Sequence, residues 1–414
     1  MFNMLEFAKT AKKASLQTAI LTEEEKNQTL QDMAVELRAS TLDILKENEK
    51  DIQAAKVEQL SDAMIDRLLL TPDRVNDIAD ALERIAALPD PVGKMKDQRT
   101  MDNGLQVAKM SIPLGVIAMI YESRPNVTAD AAALCLKAGN AVILRGGKEA
   151  IYSSLAIASA LHRALEQNGI DKGAISVVPD PDRQHMHELL TLSDYVDLII
   201  PRGGEGLIRF VSKNSQIPVI QHYKGVCHLY VDKYADQNKA IDLLLNGKVQ
   251  RPGVCNSLET FLVHQDIADE FLVKAAKVLS ENKVKVYACE RSIAFFEDAL
   301  PATDEEYDKE YLSLEISLKV VGSFEQAIDH IQKFSSNHTD VIVTEDKSRA
   351  DRFIKNINSA VVMWNASSRF SDGGELGLGA EIGISTSKLH AYGPMGVESL
   401  TTEKFVVVGN GQVR

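Results

Sequence analysis

The residue best suited to chemistry in this sequence of 414 residues is Cys255, which follows Pro252 and Gly253. Pro and Gly mark the stretch as a loop. A loop cysteine is open to a substrate, and its thiolate is a strong nucleophile once the pKa of the thiol is lowered. Most free cysteines are instead small buried hydrophobic residues, so position alone leaves both interpretations open.

Two glycine pairs, each next to a basic residue, lie between a predicted strand and a predicted helix. Glycines let backbone N–H groups approach a phosphate, with a helix N-terminus behind them. Neither loop matches the GxGxxG or Walker pattern. The pairs favour a nucleotide, and two cations at the first loop, where no nearby acid is expected, favour NADP over NAD. The loop residues are Arg145, Gly146, Gly147 and Lys148, then Arg202, Gly203 and Gly204.

Composition restricts the class of protein. The length predicts two domains, and 45% hydrophobic and 25% charged residues are typical of a globular protein. A net charge of −13 argues against a nucleic-acid partner. No apolar run is long enough for a membrane span. The four cysteines show no disulfide spacing, which favours reduced thiols and a cytoplasmic location.

Helices are predicted throughout residues 4–88, with Thr22 as a helix cap, and an extended arm at 103–109. Beyond residue 112, apolar strands alternate with helices, which indicates parallel sheets covered on both faces. Cys255 opens the second α/β block, and it is expected to lie where two-domain α/β enzymes have a ligand crevice, between the domains at the carboxyl ends of strands. The predicted strands are 115–120, 141–144, 175–178, 196–200, 219–220, 258–264, 318–321, 340–343 and 360–365. The predicted helices there are 126–137, 150–167, 206–211, 267–279, 324–334 and 348–356.

Several strings resemble the aldehyde dehydrogenase superfamily: Arg251–Asn256, Pro125-Asn126 and the loop 145–148. Strings at 200–204, 225–232, 365–370, 377–386 and 393–396 resemble its branch that reduces L-glutamyl 5-phosphate, and the likeness covers nearly the whole chain. The resemblance implies an α/β fold with a Rossmann-like cofactor domain, an α/β catalytic domain and a small oligomerisation arm. We expect an NADPH-binding domain over 1–226 with the arm at about 98–112, a catalytic domain over 227–388 and an oligomerisation segment over 389–414.

The resemblance also implies an activity. NADPH would reduce L-glutamyl 5-phosphate to glutamate 5-semialdehyde with release of phosphate, a step of proline biosynthesis. Cys255 would be the nucleophile that forms a thioester, Asn126 an oxyanion donor and Glu310 the acid that holds the nicotinamide ribose. Without the resemblance, the better interpretation of Asn126 is a helix cap, and a solvated acid is nearly as good an interpretation of Glu310 in its acidic stretch.

The place of the superfamily's water-activating glutamate is taken here by His222-Tyr223-Lys224-Gly225, which has no carboxylate. That agrees with an enzyme whose thioester is not hydrolysed, although His222 could act as a base. Arginine grips carboxylates and phosphates at two points. The candidate substrate-binding residues are Arg124, Arg251, Asn365, Ser367 and Arg369. No metal site is expected, because His185 and His187 are badly spaced on a helix.

Three other interpretations stay open: a CoA-acylating aldehyde dehydrogenase, a thiol acyltransferase or amidase that pairs Cys255 with a histidine, and a scaffold without catalysis. The small-molecule substrate is unstable, so a transient contact with glutamate 5-kinase is a hypothesis, and a homo-oligomer is expected. Cys135 and Cys227 are predicted to be buried and inert, and Trp364 to lie in the core.

Overall fold

The computed structural model describes residues 2–414, and the chain forms two compact units. Unit 1 comprises the residues up to Gln221 together with Leu378–Gly383 and Met395–Arg414. Unit 2 comprises His222–Gly377 and Ile384–Pro394. The domain boundaries predicted from the sequence, at residues 226 and 388, stay predictions.

Unit 1 opens with five helices, as the pattern over residues 4–88 predicts. Helix α2 begins with a capping box: Thr22 Oγ1 accepts the N–H of Glu25, and the Glu25 carboxylate accepts the N–H of Thr22. This box satisfies two backbone donors that a helix start leaves unpaired, and it confirms the predicted cap. The five helices are α1 Met4–Thr18, α2 Glu23–Ala39, α3 Thr41–Val57, α4 Asp62–Leu68 and α5 Pro72–Ala86.

A four-stranded parallel sheet forms the core of unit 1, in the order β5-β4-β3-β6. Three of its strands consist entirely of buried residues, which confirms a sheet covered on both faces. The predicted strand at 219–220 is wrong: Val219 makes only an isolated bridge to Ile199, and Pro218 beside it has no N–H to extend the ladder. The strands are β3 Val116–Tyr121, β4 Ala141–Arg145, β5 Ile175–Val177 and β6 Leu198–Arg202, and the helices are α6 Asn126–Lys137, α7 Ile151–Gln167, α8 Arg183–Leu189 and α9 Glu205–Asn214.

The extended arm is part of a separate antiparallel sheet in unit 1. Strands β1 (Met95–Thr100) and β2 (Gln106–Pro113) are joined through Gly104, whose φ of 84° suits glycine. Strand β16 (Thr401–Val408) pairs with β2 along its whole length. The chain's last strand is therefore fixed to the predicted arm.

Unit 2 is built on seven parallel strands in the order β10-β9-β11-β8-β7-β12-β13. Its central strands β7, β8 and β12 are buried throughout, as expected for the middle of a parallel sheet. The strands are β7 Cys227–Val231, β8 Leu258–His264, β9 Lys285–Ala288, β10 Leu300–Pro301, β11 Glu315–Val321, β12 Thr339–Val343 and β13 Val361–Trp364. The helices are α10 Gln237–Val249, α11 Gln265–Glu281, α12 Asp304–Tyr307, α13 Phe324–Phe334 and α14 Lys347–Asn356, and two short strands, β14 Gly383–Ser385 and β15 Gly393–Met395, follow.

Two side-chain predictions have different outcomes. Cys135 and Cys227 are fully buried, as expected. The prediction that Trp364 lies in the core is wrong: the side chain is 38% exposed, because β13 is the edge strand. Its indole N–H donates to the carbonyl of Thr344 at 2.7 Å. Over residues 2–414, no helix is both long enough and apolar enough to cross a membrane.

Candidate active site

Cys255 lies in the loop that connects α10 to β8, three residues before that strand begins. The neighbouring strands β7 and β12 run parallel to β8, so the thiol lies at the edge of the sheet where strands start. The expectation of a site at the carboxyl ends of these strands is therefore wrong for unit 2. The reason is topological, because a loop that leads into a parallel strand must lie at its amino end.

Two histidines lie beside this thiol. One ring nitrogen of His222, one of His338 and the sulfur of Cys255 all lie within 4.8 Å of one another. The two rings are tilted, with centroids 5.2 Å apart. His338 is buried just before β12, and His222 is half-buried at the start of unit 2. The fold thus joins residues that are up to 116 positions apart in the sequence.

The hydrogen bonds of His338 define its protonation. Its Nδ1 lies 2.7 Å from Thr339 Oγ1, and that hydroxyl donates to Ser371 Oγ at 2.7 Å. Nδ1 is therefore the donor toward Thr339, and Nε2 keeps a lone pair that has no hydrogen-bond partner among the described residues. Burial, and then the charge of His222, lower the pKa of His338 to about 3. This ring stays neutral at ordinary pH.

The backbone around Cys255 is held by the first residue of β7 and by the residues just before that strand. The Cys227 thiol donates to the carbonyl of Cys255 at 3.3 Å. Burial raises the pKa of Cys227, so this sulfur keeps its proton. A Cβ at Gly225 would overlap the backbone of Cys255, so this position requires glycine.

Glu310 braces the same segment from the loop after α12. Its carboxylate accepts the N–H of Gly225 at 2.9 Å. Two residues before it, Asp308 forms an ion pair with Lys224 at 2.7 Å. The structure thus gives Glu310 a partner at residues 222–225, and its role toward a nicotinamide ribose stays a prediction.

A buried ion pair joins the two ends of the cysteine loop. Lys248, in the last turn of α10, contacts Glu259 of β8 at 2.7 Å, and both side chains are fully buried. Burial raises the pKa of Glu259 to about 7, while the charge of Lys248 acts in the opposite direction. The second carboxylate oxygen of Glu259 accepts the N–H of Leu312 at 3.4 Å.

The structure brings two of the predicted substrate-binding arginines into one electrostatic group with the thiol. Burial, and then the charge of Arg251, lower the pKa of Arg369, while Asp372 and Cys255 act in the opposite direction. Arg369 Nε donates to Gln250 at 3.0 Å. The buried Ser367 hydroxyl accepts the N–H of Arg369 at 3.3 Å, so it orients this arginine.

The structure does not bring Asn365 to this group. Asn365 follows β13 at the opposite edge of the sheet, has a φ of 52°, and donates to the carbonyl of Thr344 at 3.0 Å. It also accepts the N–H of Thr344, so its amide fixes the end of β12. Arg124 is exposed in unit 1, two residues before α6. Substrate roles for both residues stay predictions.

Unit 1 contains a cleft of about 1130 Å³ at the carboxyl ends of its four parallel strands. Its walls include Glu122 directly after β3 and Arg145 at the end of β4, together with Pro181 and Gly206 from the segments that follow β5 and β6. This is the edge at which open parallel sheets bind nucleotides. The first glycine loop, with Gly147 and Lys148, lines the cleft.

The expectation that no acid lies near the first loop is wrong. Lys148 forms an ion pair with Glu58 at 2.7 Å. The Glu149 carboxylate lies beside Gly147 and accepts the N–H of Ser123 at 2.7 Å. At the second loop, Glu122 accepts the N–H of Gly204 at 3.0 Å. Carboxylates therefore contact both glycine loops. The contact of Lys148 with Glu58 could not be read from the sequence, because the two residues are 90 positions apart.

The other basic residues of the two loops, Arg145 and Arg202, form few contacts with protein acceptors. Arg145 is 9% exposed and donates to the carbonyl of Pro181 at 2.8 Å, while its Nε is buried without a hydrogen-bond partner. Arg202, half-buried, lies 3.9 Å from Glu381. The glycines Gly146 and Gly203 lie close to Tyr121 and Glu122, so a side chain at either position would be crowded.

Asn126 is the first residue of α6 but does not cap it, since Pro125 stands at the cap position and no side-chain cap bond forms. Its amide instead donates to Asp130 at 2.9 Å. Burial raises the pKa of Asp130 to about 6. The structure thus removes the helix-cap interpretation, and the oxyanion role of Asn126 stays a prediction.

Comparison with known proteins identifies the class of this fold and site. A profile of the aldehyde dehydrogenase family matches residues 4–290. The chain is 61% identical to the gamma-glutamyl phosphate reductase of Idiomarina loihiensis, over 99% of this chain and 98% of that one. The chain therefore belongs to the aldehyde dehydrogenase family, as an oxidoreductase of its gamma-glutamyl phosphate reductase branch. This confirms the predicted fold class and enzyme class.

Solved structures agree. The gamma-glutamyl phosphate reductase of Thermotoga maritima matches with a TM-score of 0.98 and 42% identity, over 100% of both chains. An acetylating aldehyde dehydrogenase of Geobacillus thermoglucosidasius matches with a TM-score of 0.69 and 18% identity, over 99% of this chain and 97% of that one. The second likeness shows a shared fold only.

Sequence reasoning missed the parts of the site that depend on distant contacts. His338 stands between Asn337 and Thr339 with no motif around it, and only the start of β12 brings it to Cys255. The pair Lys248 and Glu259 looks like two ordinary charges in the sequence. A buried strand containing Glu259 is the one signal that would have indicated a paired charge.

Replacing Gly225→Ala tests the close approach to Cys255. The added methyl must displace the Cys255 backbone, and a shift of about 1 Å at a reacting group costs on the order of 100-fold in rate. We expect that loss in kcat with an unchanged far-UV circular dichroism spectrum. Gly253→Ala is the matched control in the cysteine loop, because a Cβ there makes only an ordinary contact, 3.7 Å from Leu312. Equal activity of both variants would contradict this geometry.

Replacing Asp130→Asn tests the raised pKa of that carboxyl. In the folded protein the group is protonated below about pH 6, but in the unfolded chain only below its ordinary value of 3.8. The stability that protonation gives is therefore lost as the pH rises through 6. Relative to wild type, the variant should gain up to about 3 kcal/mol in unfolding free energy between about pH 4 and pH 7. Urea titrations that show a constant difference would contradict it.

Proposed function

We propose that the chain reduces L-glutamyl 5-phosphate to glutamate 5-semialdehyde with NADPH, releasing phosphate, as a step of proline biosynthesis. The observation that carries the proposal is the group of Cys255, His222 and His338 beside two arginines, in a chain whose relatives are named for this reduction. The named relatives support the substrate, and the local chemistry supports the route.

Cys255 supplies the nucleophile in this proposal. Its thiolate attacks the acyl carbon, the C–O bond to phosphate breaks, and an acyl thioester remains on the sulfur. His338 stays neutral because it is buried, so an imidazolium that balances the thiolate would form at His222, which is half-buried. The backbone N–H of Cys255 is suited to stabilise the oxyanion that forms on the acyl oxygen.

Phosphate and carboxylate groups of the substrate would meet Arg251 and Arg369. Burial and the nearby charge of Arg251 both disfavour the positive charge of Arg369. A bound anion would offset both effects. Ser367 and Gln250 hold Arg369 in place through its N–H and its guanidinium. Anion binding would therefore occur on a cationic pair that is already positioned near the thiol.

The cleft of unit 1 fits a nicotinamide dinucleotide. Its volume of about 1130 Å³, its place at the carboxyl ends of parallel strands and its glycine loops suit such a cofactor. The buried, unpartnered Nε of Arg145 offers a donor at its wall. When bound, the cofactor supplies the hydride that reduces the acyl group to an aldehyde. Lys148 and Arg145 are the residues of this chain that would hold a 2′-phosphate, and thus favour NADPH.

Hydrolysis of the thioester is disfavoured by the residues at 222–225. The resemblance places a water-activating glutamate there in oxidising relatives, whereas this chain has His222-Tyr223-Lys224-Gly225. The N–H of Gly225 also binds the carboxylate of Glu310. A thioester that is not hydrolysed remains available for reduction, or for phosphate in the reverse direction.

The reverse reaction tests the proposal. Glutamate semialdehyde with NADP⁺ should yield NADPH only when phosphate is present, and Cys255→Ala should lose this turnover while Cys289→Ala keeps it. Cys289 is a matched control because it lies at the end of β9, in a different loop of unit 2. Turnover without phosphate would instead indicate a hydrolytic dehydrogenase. Failure to bind NADPH at all would favour a thiol acyltransferase that pairs Cys255 with a histidine.

Lys148→Glu tests the cofactor preference. A carboxylate in this position repels a 2′-phosphate, and it adds a second negative charge beside that of Glu58. We expect the ratio of kcat/KM for NADPH over NADH to fall at least about tenfold, the scale of one charged hydrogen bond. Lys172→Glu is the control, because Lys172 is also paired with a glutamate but does not line the cleft. An unchanged ratio would exclude Lys148 from the recognition of the 2′-phosphate.

Assembly completes the proposal. Strand β16 exposes Phe405, Val407 and Val408, which are 64%, 56% and 60% exposed, and this apolar strip supports a homo-oligomer built through the arm. The instability of acyl phosphates supports a transient contact with glutamate 5-kinase. If free diffusion of the acyl phosphate accounts for the whole coupled flux through the kinase and this enzyme, there is no reason to propose that contact.

A further inference from the structure

We propose that Cys255, His222 and His338 form a binding site for a thiophilic divalent cation such as Zn²⁺, and that the cation reversibly blocks the enzyme. The site's geometry stands independently of the proposed substrate. Only the predicted inhibition rests on the proposed function, through the role of Cys255 as nucleophile.

The three candidate ligand atoms lie close together. One ligand atom from each of the three residues lies within 4.8 Å of the other two. Zn–N bonds of roughly 2.0–2.1 Å and Zn–S bonds of roughly 2.3 Å place tetrahedral ligand atoms about 3.5 Å apart. The ligand atoms, which are at most 4.8 Å apart, must therefore approach one another by about 1.3 Å or less. Rotation of the His222 and Cys255 side chains can supply this movement, while backbone contacts keep both segments in place.

The His338 ring is buried and held in one orientation. Its side chain is 1% exposed, and its Nε2 has no hydrogen-bond partner among the described residues. An unpartnered buried nitrogen costs free energy that a ligand would recover. The bond from Nδ1 to Thr339 fixes the ring and leaves the lone pair on Nε2, the arrangement found in metal-binding histidines whose other nitrogen is hydrogen-bonded. Thr339 is itself held by Ser371.

The donor set selects the metal. One thiolate and two imidazoles suit Zn²⁺ and Co²⁺, whereas Mg²⁺ and Ca²⁺ prefer oxygen ligands. Three protein ligands leave a fourth position for water, as in open zinc sites. Binding releases the Cys255 proton to solvent and occupies the sulfur lone pair, so a metal-bound thiolate cannot attack an acyl carbon.

Cobalt gives a readout that does not depend on turnover. Metal-free enzyme, kept reduced, is titrated with Co²⁺, and the thiolate-to-cobalt charge-transfer absorption is followed. We expect saturation at one equivalent, displacement by one equivalent of Zn²⁺, and no such band in Cys255→Ser. His222→Gln and His338→Gln should each weaken Zn²⁺ binding by at least about tenfold, the lower limit seen when even an indirect partner of a metal ligand is lost.

Matched controls are Cys289→Ser and His162→Gln, which change a cysteine and a histidine outside the group and should keep wild-type affinity. A band that persists in Cys255→Ser, or full affinity in both histidine variants, would overturn the proposal. If His338→Gln does not fold, His222→Gln decides the matter alone. Stoichiometric metal binding by an enzyme that retains full activity would refute the inhibition but not the site, so failure of the two parts can be told apart.

Discussion

The buried pair of Lys248 and Glu259 is the constraint on which the rest of the site depends. It joins the end of α10 to the start of β8, so the cysteine loop is closed by two fully buried charges. Such a pair adds little net stability, because desolvation offsets the attraction, but loss of one partner leaves an isolated buried charge. The pair thus fixes the path of the loop, and Glu259 extends this to the neighbouring segment through the N–H of Leu312.

Within that loop, backbone contacts position Cys255, the proposed nucleophile. The Cys227 thiol holds the carbonyl of Cys255, and Gly225 allows the two segments to approach more closely than any side chain would permit. Glu310 and Lys224 then fix the segment that carries His222. The position of the Cys255 sulfur therefore depends on contacts that hold the backbone of its own loop and of the segment at 222–227.

The sequence predicted the fold well where local patterns decide it. Five helices, two parallel sheets and the capping box at Thr22 follow from apolar periodicity and cap chemistry. It failed where distant contacts decide. Trp364 is exposed because its strand ends the sheet, and Glu58 reaches Lys148 from a different helix. His338 becomes part of the site only through the order of the strands, which no local pattern in residues 336–340 indicates.

The proposed mechanism requires a stable acyl thioester on Cys255. The most direct measurement is the intact mass of enzyme mixed with glutamate semialdehyde and NADP⁺ without phosphate, followed by peptide mapping. We expect one acyl adduct per chain on the Cys255 peptide, formation of one equivalent of NADPH, and removal of the adduct by phosphate. Continued NADPH formation without an adduct, or an adduct on another residue, would contradict it.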